Sequence, residues 1–173
     1  MNEHLTTSDV LRDAFGRVRE LVEQQCADLD ERTATYRVDP DANTPIWLLW
    51  HLARVQDDHV AGLAGTEQAW ERWRDDFDLP FEPGDIGYGH DSDQVAAVRS
   101  DPALVARYHG DVHRLTLAYL DRVDGAELAR VVDEDWDPPV TAGVRLVSVL
   151  GDTLQHLGQA AFVAGVAERQ AAD

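Results

Sequence analysis

Asp152 and His156 are the two residues whose types and spacing most clearly suggest chemistry. They lie four positions apart, so on a helix both side chains project from one face, a turn apart. From Val144 to Ala167 the only other formal charge is Arg145, which predicts a mostly buried helix. An unpaired buried carboxylate is costly. The pair therefore predicts either a structural hydrogen bond between the two side chains or two ligands of a metal ion.

His51 raises the same question in the first half of the chain. It interrupts the apolar run from Pro45 to Ala53, so it is expected to face the core or lie beside it. One interpretation is a core histidine satisfied by a backbone carbonyl. The other follows if its helix packs antiparallel or diagonally against the late helix, because His51 would then meet Asp152 and His156. Two imidazoles and a carboxylate, with positions left open to water or substrate, suit Zn²⁺, Ni²⁺ or Fe²⁺.

Other polar residues compete with this set. His109 and His113 have the spacing His-x-x-x-His, but they lie roughly 90 to 130° from the apolar stripe of their helix, so they are expected to flank the core or face solvent. The Gly-Tyr-Gly-His run at 87–90 predicts a turn, or alternatively the lining of a substrate mouth. A solvated helix face is the default interpretation for three residues that follow His51: Asp57, Asp58 and His59.

Four long helical segments are expected to position these residues. The first begins after an N-cap at Thr7 or Ser8 and continues for about 22 residues, and the second begins with a Thr44 cap and Pro45 and ends at about Leu63. The third runs from Asp101-Pro102 to Gly125, and the fourth from about Thr141 to Glu168. No strand-like alternation of useful length is present. The predicted fold is therefore all-α, a single domain over 1–173 that forms a four-helix bundle, with an excursion of loop and short helices around residues 65–100.

The composition argues against two classes of binding partner. The net charge is −18 and the fifteen basic residues, all arginine, are scattered, so nucleic acid and anionic membranes are expected to repel the protein.

A single cysteine, Cys26, excludes an internal disulfide, and the opening residues Met1-Asn2-Glu3-His4 do not resemble a leader, so we expect a cytoplasmic protein. A chain of 173 residues can fold without a metal, so a bound ion would serve function. Neither a nucleophile elbow nor a phosphate-binding glycine loop is present.

A family resemblance joins the separate candidates. The run Pro-Ile-Trp-Leu-Leu-Trp-His-Leu-Ala, which ends at Ala53, resembles the second-helix histidine motif of the DinB-like metalloenzymes, and the late Asp-x-x-x-His fits the same family. The stretches 50–59, 87–90 and 144–149 are similar to a subgroup known as mycothiol transferases. The superfamily includes mycothiol-dependent maleylpyruvate isomerases and bacillithiol- and mycothiol-dependent S-transferases. The likeness covers essentially the whole chain in length and helix order.

The resemblance implies that His51, Asp152 and His156 bind one divalent metal, with zinc as the first choice and nickel or iron as alternatives. Asp152 departs from the family, where histidine or glutamate is common, and its shorter side chain reaches less far. A metal-bound thiol loses its proton more readily, and the thiolate then attacks an electrophilic carbon. The implied function is a metal-dependent S-transferase or isomerase that uses a mycothiol-type low-molecular-weight thiol and acts on a small electrophile.

Further roles follow from the same resemblance. Arg54 is a candidate for orienting an anionic group of the substrate, and Gln159 and Asp58 are candidates for orienting the imidazoles. The expected partners are the small thiol and the electrophile, and the chain is expected to be a monomer or a homodimer, since related bundles pair through helix faces. Two alternatives remain open. One is a non-enzymatic bundle, a stress or binding protein with a vestigial metal pocket, and the other is a metal-dependent hydrolase that needs no thiol.

Overall fold

Eight helices and a two-stranded sheet follow one another along residues 5–171, the part of the chain that the computed structural model describes. In chain order they are α1 (Thr7–Asp28), α2 (Glu31–Ala34), α3 (Pro45–Ala64), α4 (Trp70–Phe77), α5 (Ser92–Ala97), α6 (Pro102–Leu120), α7 (Gly125–Ala129), β1 (Val131–Asp133), β2 (Val140–Thr141) and α8 (Ala142–Ala171). The predicted all-α fold is confirmed. The opening residues Met1-Asn2-Glu3-His4, on which the expectation about a leader depends, lie outside the described residues.

The bundle is formed by α1, α3, α6 and α8. Helix α3 lies at its centre and packs against both α6 and α8, while α1 packs against α6 and α8 from the other side. Helix α3 begins where the sequence predicted. The Thr44 side chain accepts a hydrogen bond from the Trp47 backbone N–H, and Pro45 occupies the first turn. Every residue from Pro45 to Asp57 is buried, because neighbouring elements cover α3 on all sides.

The core combines apolar stripes at helical spacing. Its largest fully buried side chains include Phe15 from α1, Ile46, Leu49 and Trp50 from α3, Tyr108 from α6 and Leu146 from α8. Burial of this apolar area supplies the main driving force for packing the bundle. None of the helices within the described range combines the length and the apolar character needed to cross a membrane.

The boundaries differ from expectation in several places. Thr6, rather than Thr7 or Ser8, caps α1, because its hydroxyl and the Asp9 carboxylate form a reciprocal capping box. The third long helix ends at Leu120 instead of reaching Gly125, which begins α7 after the Asp124 cap. A short α2 forms between the first two long helices, where no helix was predicted. Strands β1 and β2 form an antiparallel pair too short to give a recognisable alternation in the sequence.

The excursion around 65–100 contains α4, α5 and a loop between them, as predicted. Helix α8 differs from the expectation of a mostly buried helix. One side packs on the bundle, but Val147 and Phe162 on its outer side are each 66% exposed. The scarcity of charged residues in α8 is therefore not explained by burial within this chain.

Candidate metal centre

Helices α3 and α8 bring His51, Asp152 and His156 together. One nitrogen of each imidazole and one carboxylate oxygen all lie within 4.8 Å of one another. The two imidazole rings are 4.9 Å apart between centroids and nearly perpendicular. Among the described residues, this is the only group of three or more histidine, cysteine or acidic side chains with such spacing. The packing of α3 on α8 thus produces the arrangement that the sequence alone left open.

The backbone fixes which nitrogen His51 offers to the cluster. Its Nδ1 lies in hydrogen-bond contact with the carbonyl oxygen of Ile86, which can only accept, so Nδ1 carries the proton and donates. The lone pair of the neutral ring is consequently on Nε2. The Trp47 ring stacks on the imidazole with 4.7 Å between centroids and holds its plane. His51 therefore donates a hydrogen bond to a backbone carbonyl, as one interpretation required, and its Nε2 is still free to bind a metal.

Gly87 allows the loop to approach His51 this closely. Its φ of +89° favours glycine, and a Cβ at this position would lie 2.9 Å from His51 Nδ1 and 2.9 Å from the Trp50 ring. The Asp85 carboxylate accepts hydrogen bonds from the Gly87 N–H at 2.7 Å and from His90 Nε2 at 3.0 Å. The 85–90 loop is thus a support for His51. Sequence analysis missed this role, although the Gly-Tyr-Gly-His run had marked the segment.

His156 has a matching arrangement on α8. Its Nδ1 donates to Gln159 Oε1 at 2.8 Å, and its Nε2 lies 3.4 Å from Asp152 Oδ1. Gln159 therefore lies where it can orient this imidazole. The second carboxylate oxygen of Asp152, Oδ2, is buried and has no hydrogen-bond partner. A buried carboxylate oxygen without a partner is costly, and a cation is what would satisfy it.

The ionisation states suit metal binding. Burial lowers the pKa of His51, so this ring is neutral at pH 7. Burial also opposes the ionisation of Asp152, but the hydrogen bond and charge of His156 outweigh it and hold the pKa of the carboxyl below its ordinary value. The same hydrogen bond, followed by the one to Gln159, raises the pKa of His156 above the ordinary value. A metal ion would therefore compete with one proton on His156 Nε2.

The donor set fits a divalent transition metal. Two imidazole nitrogens and one carboxylate oxygen are the ligands of many catalytic zinc sites, which keep a fourth position open. The Asp152 side chain remains 38% exposed and that of His156 18% exposed, so the cluster is accessible from solvent on one side. An added ligand can reach such a site without rearrangement of the bundle.

Arg54 lies elsewhere than the sequence suggested. Its side chain is fully buried, with Nη1 donating to Gln68 Oε1 at 2.8 Å and Nε donating to the Asp85 carbonyl at 3.2 Å. The guanidinium also lies 4.5 Å from the centroid of the Trp70 ring. It has no exposed atom with which to meet a substrate in this conformation. Its contact with Asp85 instead makes it an anchor of the loop that supports His51.

Asp57 corrects the expectation of a solvated face, while Asp58 and His59 are partly exposed. Asp57 is 2% exposed, and its carboxylate accepts hydrogen bonds from the Ala69 and Trp70 backbone N–H groups and from the Tyr108 hydroxyl. Asp58 accepts from Gln68 and lies 3.4 Å from His59 Nδ1, so among the histidines it contacts His59 rather than the cluster imidazoles. The first part of α3, up to Asp57, is covered on all sides, and the helix reaches water only near its C-terminal end.

The other histidines have separate surroundings. His109 is fully buried, contrary to expectation, with Nε2 donating to Gln56 Oε1 at 3.2 Å, and burial lowers its pKa to about 3. His113 is half-buried, and among the described residues neither His109 nor His113 belongs to a group of three or more potential ligands. His59 lies 3.3 Å from Arg145, and His90 accepts from Trp47 Nε1 at 3.1 Å.

Comparisons with known proteins agree with the fold and identify the family. A crystal structure described as the conserved protein of locus from Enterococcus faecalis has a TM-score of 0.83 and 30% sequence identity to this chain, over 93% of this chain and 96% of that one. No curated protein matches the chain. The model of the mycothiol-S-transferase family matches residues 10–166, which include all three members of the cluster. The chain therefore belongs to the mycothiol-S-transferase family, a DinB-like family.

Proposed function

We propose that this protein is a metal-dependent S-transferase or isomerase that joins a mycothiol-type thiol to a small electrophile. The observation that carries the proposal is a set of ligand atoms that no hydrogen bond to the rest of the fold uses. They are Nε2 of His51, Nε2 of His156, which contacts Asp152 inside the cluster, and the unpartnered Oδ2 of Asp152. Family membership supplies the thiol, because the family is defined by mycothiol transfer. Zinc is the metal that this donor set suits best, with nickel or iron as alternatives.

The three side chains would bind the ion, and neighbouring groups hold the two imidazoles in the orientation that binding requires. The Ile86 carbonyl and Gln159 each accept the Nδ1 proton of one imidazole, so both Nε2 atoms face the cluster. A bound dication would lower the pKa of a coordinated thiol, so that a thiolate forms at neutral pH. One carboxylate among three ligands leaves the site with net positive charge, which favours that thiolate. The exposed side of the cluster gives the electrophile its approach.

Thiol consumption tests the proposal. Purified protein loaded with Zn²⁺ is incubated with mycothiol and a bimane or dinitrophenyl electrophile, and conjugate formation is followed by absorbance or fluorescence. We expect the rate of the wild type to exceed that of His156→Ala by at least about 100-fold, since loss of one ligand removes the ion that activates the thiol. His113→Ala is the matched control, because His113 is half-buried but outside the cluster. Equal rates for wild type and His156→Ala would refute the proposal.

The same experiment separates the alternatives. A metal-dependent hydrolase would cleave esters or amides in buffer without thiol, and the rate would still depend on His156. A non-enzymatic binding protein would show neither reaction, and the wild type would gain no thermal stability from Zn²⁺. We expect conjugate formation only when thiol and metal are both present.

A further inference from the structure

A polar cleft lies at the end of α3 where that helix reaches water. Its volume is about 440 Å³, which is in the range of sites that bind small molecules. Three residues of α3 contribute to its lining, Asp58, His59 and Gly62. Arg145 of α8 and Arg130, together with the first residues of β1, line the rest. The proposed function gives none of these residues a role.

The packing of α3 on α8 places this cleft near the metal centre. His59 follows His51 by eight residues on α3. Arg145 precedes Asp152 by seven residues on α8, and its Nη1 lies 3.3 Å from His59 Nδ1, so the two helices are antiparallel and stay in contact over this length. At 1.5 Å per residue, the cleft begins about 10 to 12 Å from the cluster. A ligand that is bound at the ion can therefore extend into the cleft.

The arginines of the cleft bring no excess of positive charge. Arg145 pairs with Asp133 at 3.1 Å, and Arg130 contacts both oxygens of Glu127 at 2.7 and 3.0 Å. Asp58 adds a third carboxylate. Two guanidinium groups among three carboxylates do not attract an anion, least of all in a chain whose net charge is −18. This balance favours a neutral ligand.

The cleft offers hydrogen-bond donors and acceptors side by side. Because the Arg145 guanidinium can only donate, His59 Nδ1 accepts from it, and Nε2 of the neutral ring carries a proton that it can donate. Within the described part of the chain, Nε of Arg145, Nη1 of Arg130 and Oδ2 of Asp58 make no hydrogen bond. A hydroxyl group both donates and accepts, so a neutral ligand with several hydroxyl groups can use all of these atoms.

Gly62 keeps part of the cleft wall open. It is exposed near the end of α3, and a Cβ added there would meet nothing within 4 Å. Glycine inside a helix is less stable than alanine, because it has more conformational freedom to lose on folding. Packing within the described chain does not require glycine at this position, whereas a ligand in the cleft would need the space.

The chemistry of mycothiol matches this arrangement. Its thiol is on an acetylated cysteine, which an amide joins to glucosamine and then to inositol, and in this linkage both rings are neutral and rich in hydroxyl groups. The five bonds from the sulfur to the first ring span about 6 Å when extended. With the sulfur at the ion, the two rings cover the remaining distance to the cleft. We propose that the cleft binds this two-ring polyol portion and thereby selects mycothiol over shorter thiols, an inference that rests on the proposed function for the thiol itself.

Kinetics with a complete and a truncated thiol test the selection. N-acetylcysteine amide keeps the thiol but lacks both rings, and KM for each thiol is measured with Zn²⁺-loaded wild type, Gly62→Met and Gly16→Met. Methionine at position 62 fills the cleft. Gly16 on α1 is the matched control, because a Cβ there also meets nothing within 4 Å and the residue lies outside the cleft.

We expect the ratio of KM for mycothiol to KM for N-acetylcysteine amide to rise at least about 10-fold in Gly62→Met, since binding of the rings is lost. The ratio should stay at the wild-type value in Gly16→Met. An unchanged ratio in Gly62→Met, or a rise in the KM for the electrophile instead, would overturn the assignment of the cleft to the thiol.

Direct binding separates this inference from the proposed function. N-acetylglucosaminyl-inositol, the polyol portion without a thiol, is titrated calorimetrically into the full chain of all three proteins. We expect it to bind wild type and Gly16→Met equally and Gly62→Met at least about 10-fold more weakly. If it does so while no thiol transfer is found, the proposed function fails and the polyol site stands.

The opposite results would overturn the polyol site. If thiol transfer occurs but the wild type does not bind the polyol, or binds it no better than Gly62→Met does, the proposed function stands and the cleft has another use. Inorganic phosphate is the second probe in the same titration. Binding of phosphate that Gly62→Met loses, without binding of the polyol, would identify an anion site in place of the polyol site.

Discussion

Helix α3 carries two polar clusters that differ in what their side chains have left to bind. Around Asp57 and Arg54, both carboxylate oxygens accept hydrogen bonds and the guanidinium packs on Trp70. Around His51, hydrogen bonds to residues outside the cluster use only Nδ1 of each imidazole, and within the cluster His156 Nε2 contacts Asp152 Oδ1. Asp152 Oδ2 is buried and has no hydrogen-bond partner.

The comparison teaches that burial and ionisable side chains do not by themselves identify a functional site. The Asp57 cluster is the more deeply buried of the two, and burial raises the pKa of Asp57 above its ordinary value. Both carboxylate oxygens of Asp57 are filled, and the unpartnered atom is Nη2 of the Arg54 cation, which cannot bind a metal. The hydrogen bonds of this cluster fasten α4 and α6 to α3. The His51 cluster is partly open and has unfilled donor capacity, which is the condition for binding a metal.

Removing the carboxylate from each cluster should give the largest difference. Asp57→Ala leaves the Arg54 guanidinium buried without its ion pair, and we expect it to lower the free energy of unfolding by about 3 to 5 kcal/mol. In metal-free protein, Asp152→Ala removes a partly exposed carboxylate and should cost less than about 1 kcal/mol. Urea unfolding followed by circular dichroism measures both. Equal losses would contradict the distinction between the clusters.

Metal should stabilise only through the His51 cluster. With Zn²⁺ at 100 times its dissociation constant, the wild type should gain about 2.7 kcal/mol in the free energy of unfolding. We expect His51→Ala to lose this gain and His113→Ala to keep it, because His113 lies outside the cluster. Unfolding curves with Zn²⁺ and with chelator report the gain. A gain that survives in His51→Ala would place the metal elsewhere.

Gln159 should have a smaller effect because it acts through His156. Loss of a hydrogen bond that orients a ligand typically weakens metal affinity 10- to 100-fold, about 1.4 to 2.7 kcal/mol. We therefore expect that range for Gln159→Ala in a competition titration with a zinc indicator. Gln159→Glu keeps an acceptor for the Nδ1 proton and should retain affinity near that of the wild type. If both variants bind equally weakly, Gln159 does not act by holding the imidazole.

The smallest expected effect is on the pH dependence of metal-free stability. The pKa of His156 is raised by the Asp152 hydrogen bond, so this contribution is fully present below the ordinary histidine value of about 6.5 and is lost as pH rises through the raised value. The lowered pKa of Asp152 means that its contribution is lost as pH falls through that value. For a partly exposed pair we expect less than about 1 kcal/mol. In unfolding experiments with chelator, His156→Gln should abolish the loss of stability that occurs as pH rises through the raised pKa. If this loss persists in the variant, another group causes it.

Local sequence rules accounted for most of the elements. The Thr44 cap and Pro45 located the start of α3, and helical spacing identified the stripe on α6 that includes Tyr108 and Val112. The same rules were wrong for Asp57 and His109. Periodicity describes directions around one helix but does not say which directions a neighbour covers. Asp57 is covered by the start of α4, and His109 by Gln56 of α3.

The sequence by itself determined the four long helices, the spacing of Asp152 and His156 one turn apart, and the scarcity of charge from Val144 to Ala167. These properties are local, since they follow from spacing along one helix and from composition. The tertiary structure decided that His51 reaches that pair and that Val147 and Phe162 on the outer side of α8 are exposed. It also decided, through the Ile86 carbonyl and the close approach of Gly87, which nitrogen of His51 stays free. Contacts between residues a hundred positions apart depend on how helices cross and pack, and spacing within one helix carries no information about that.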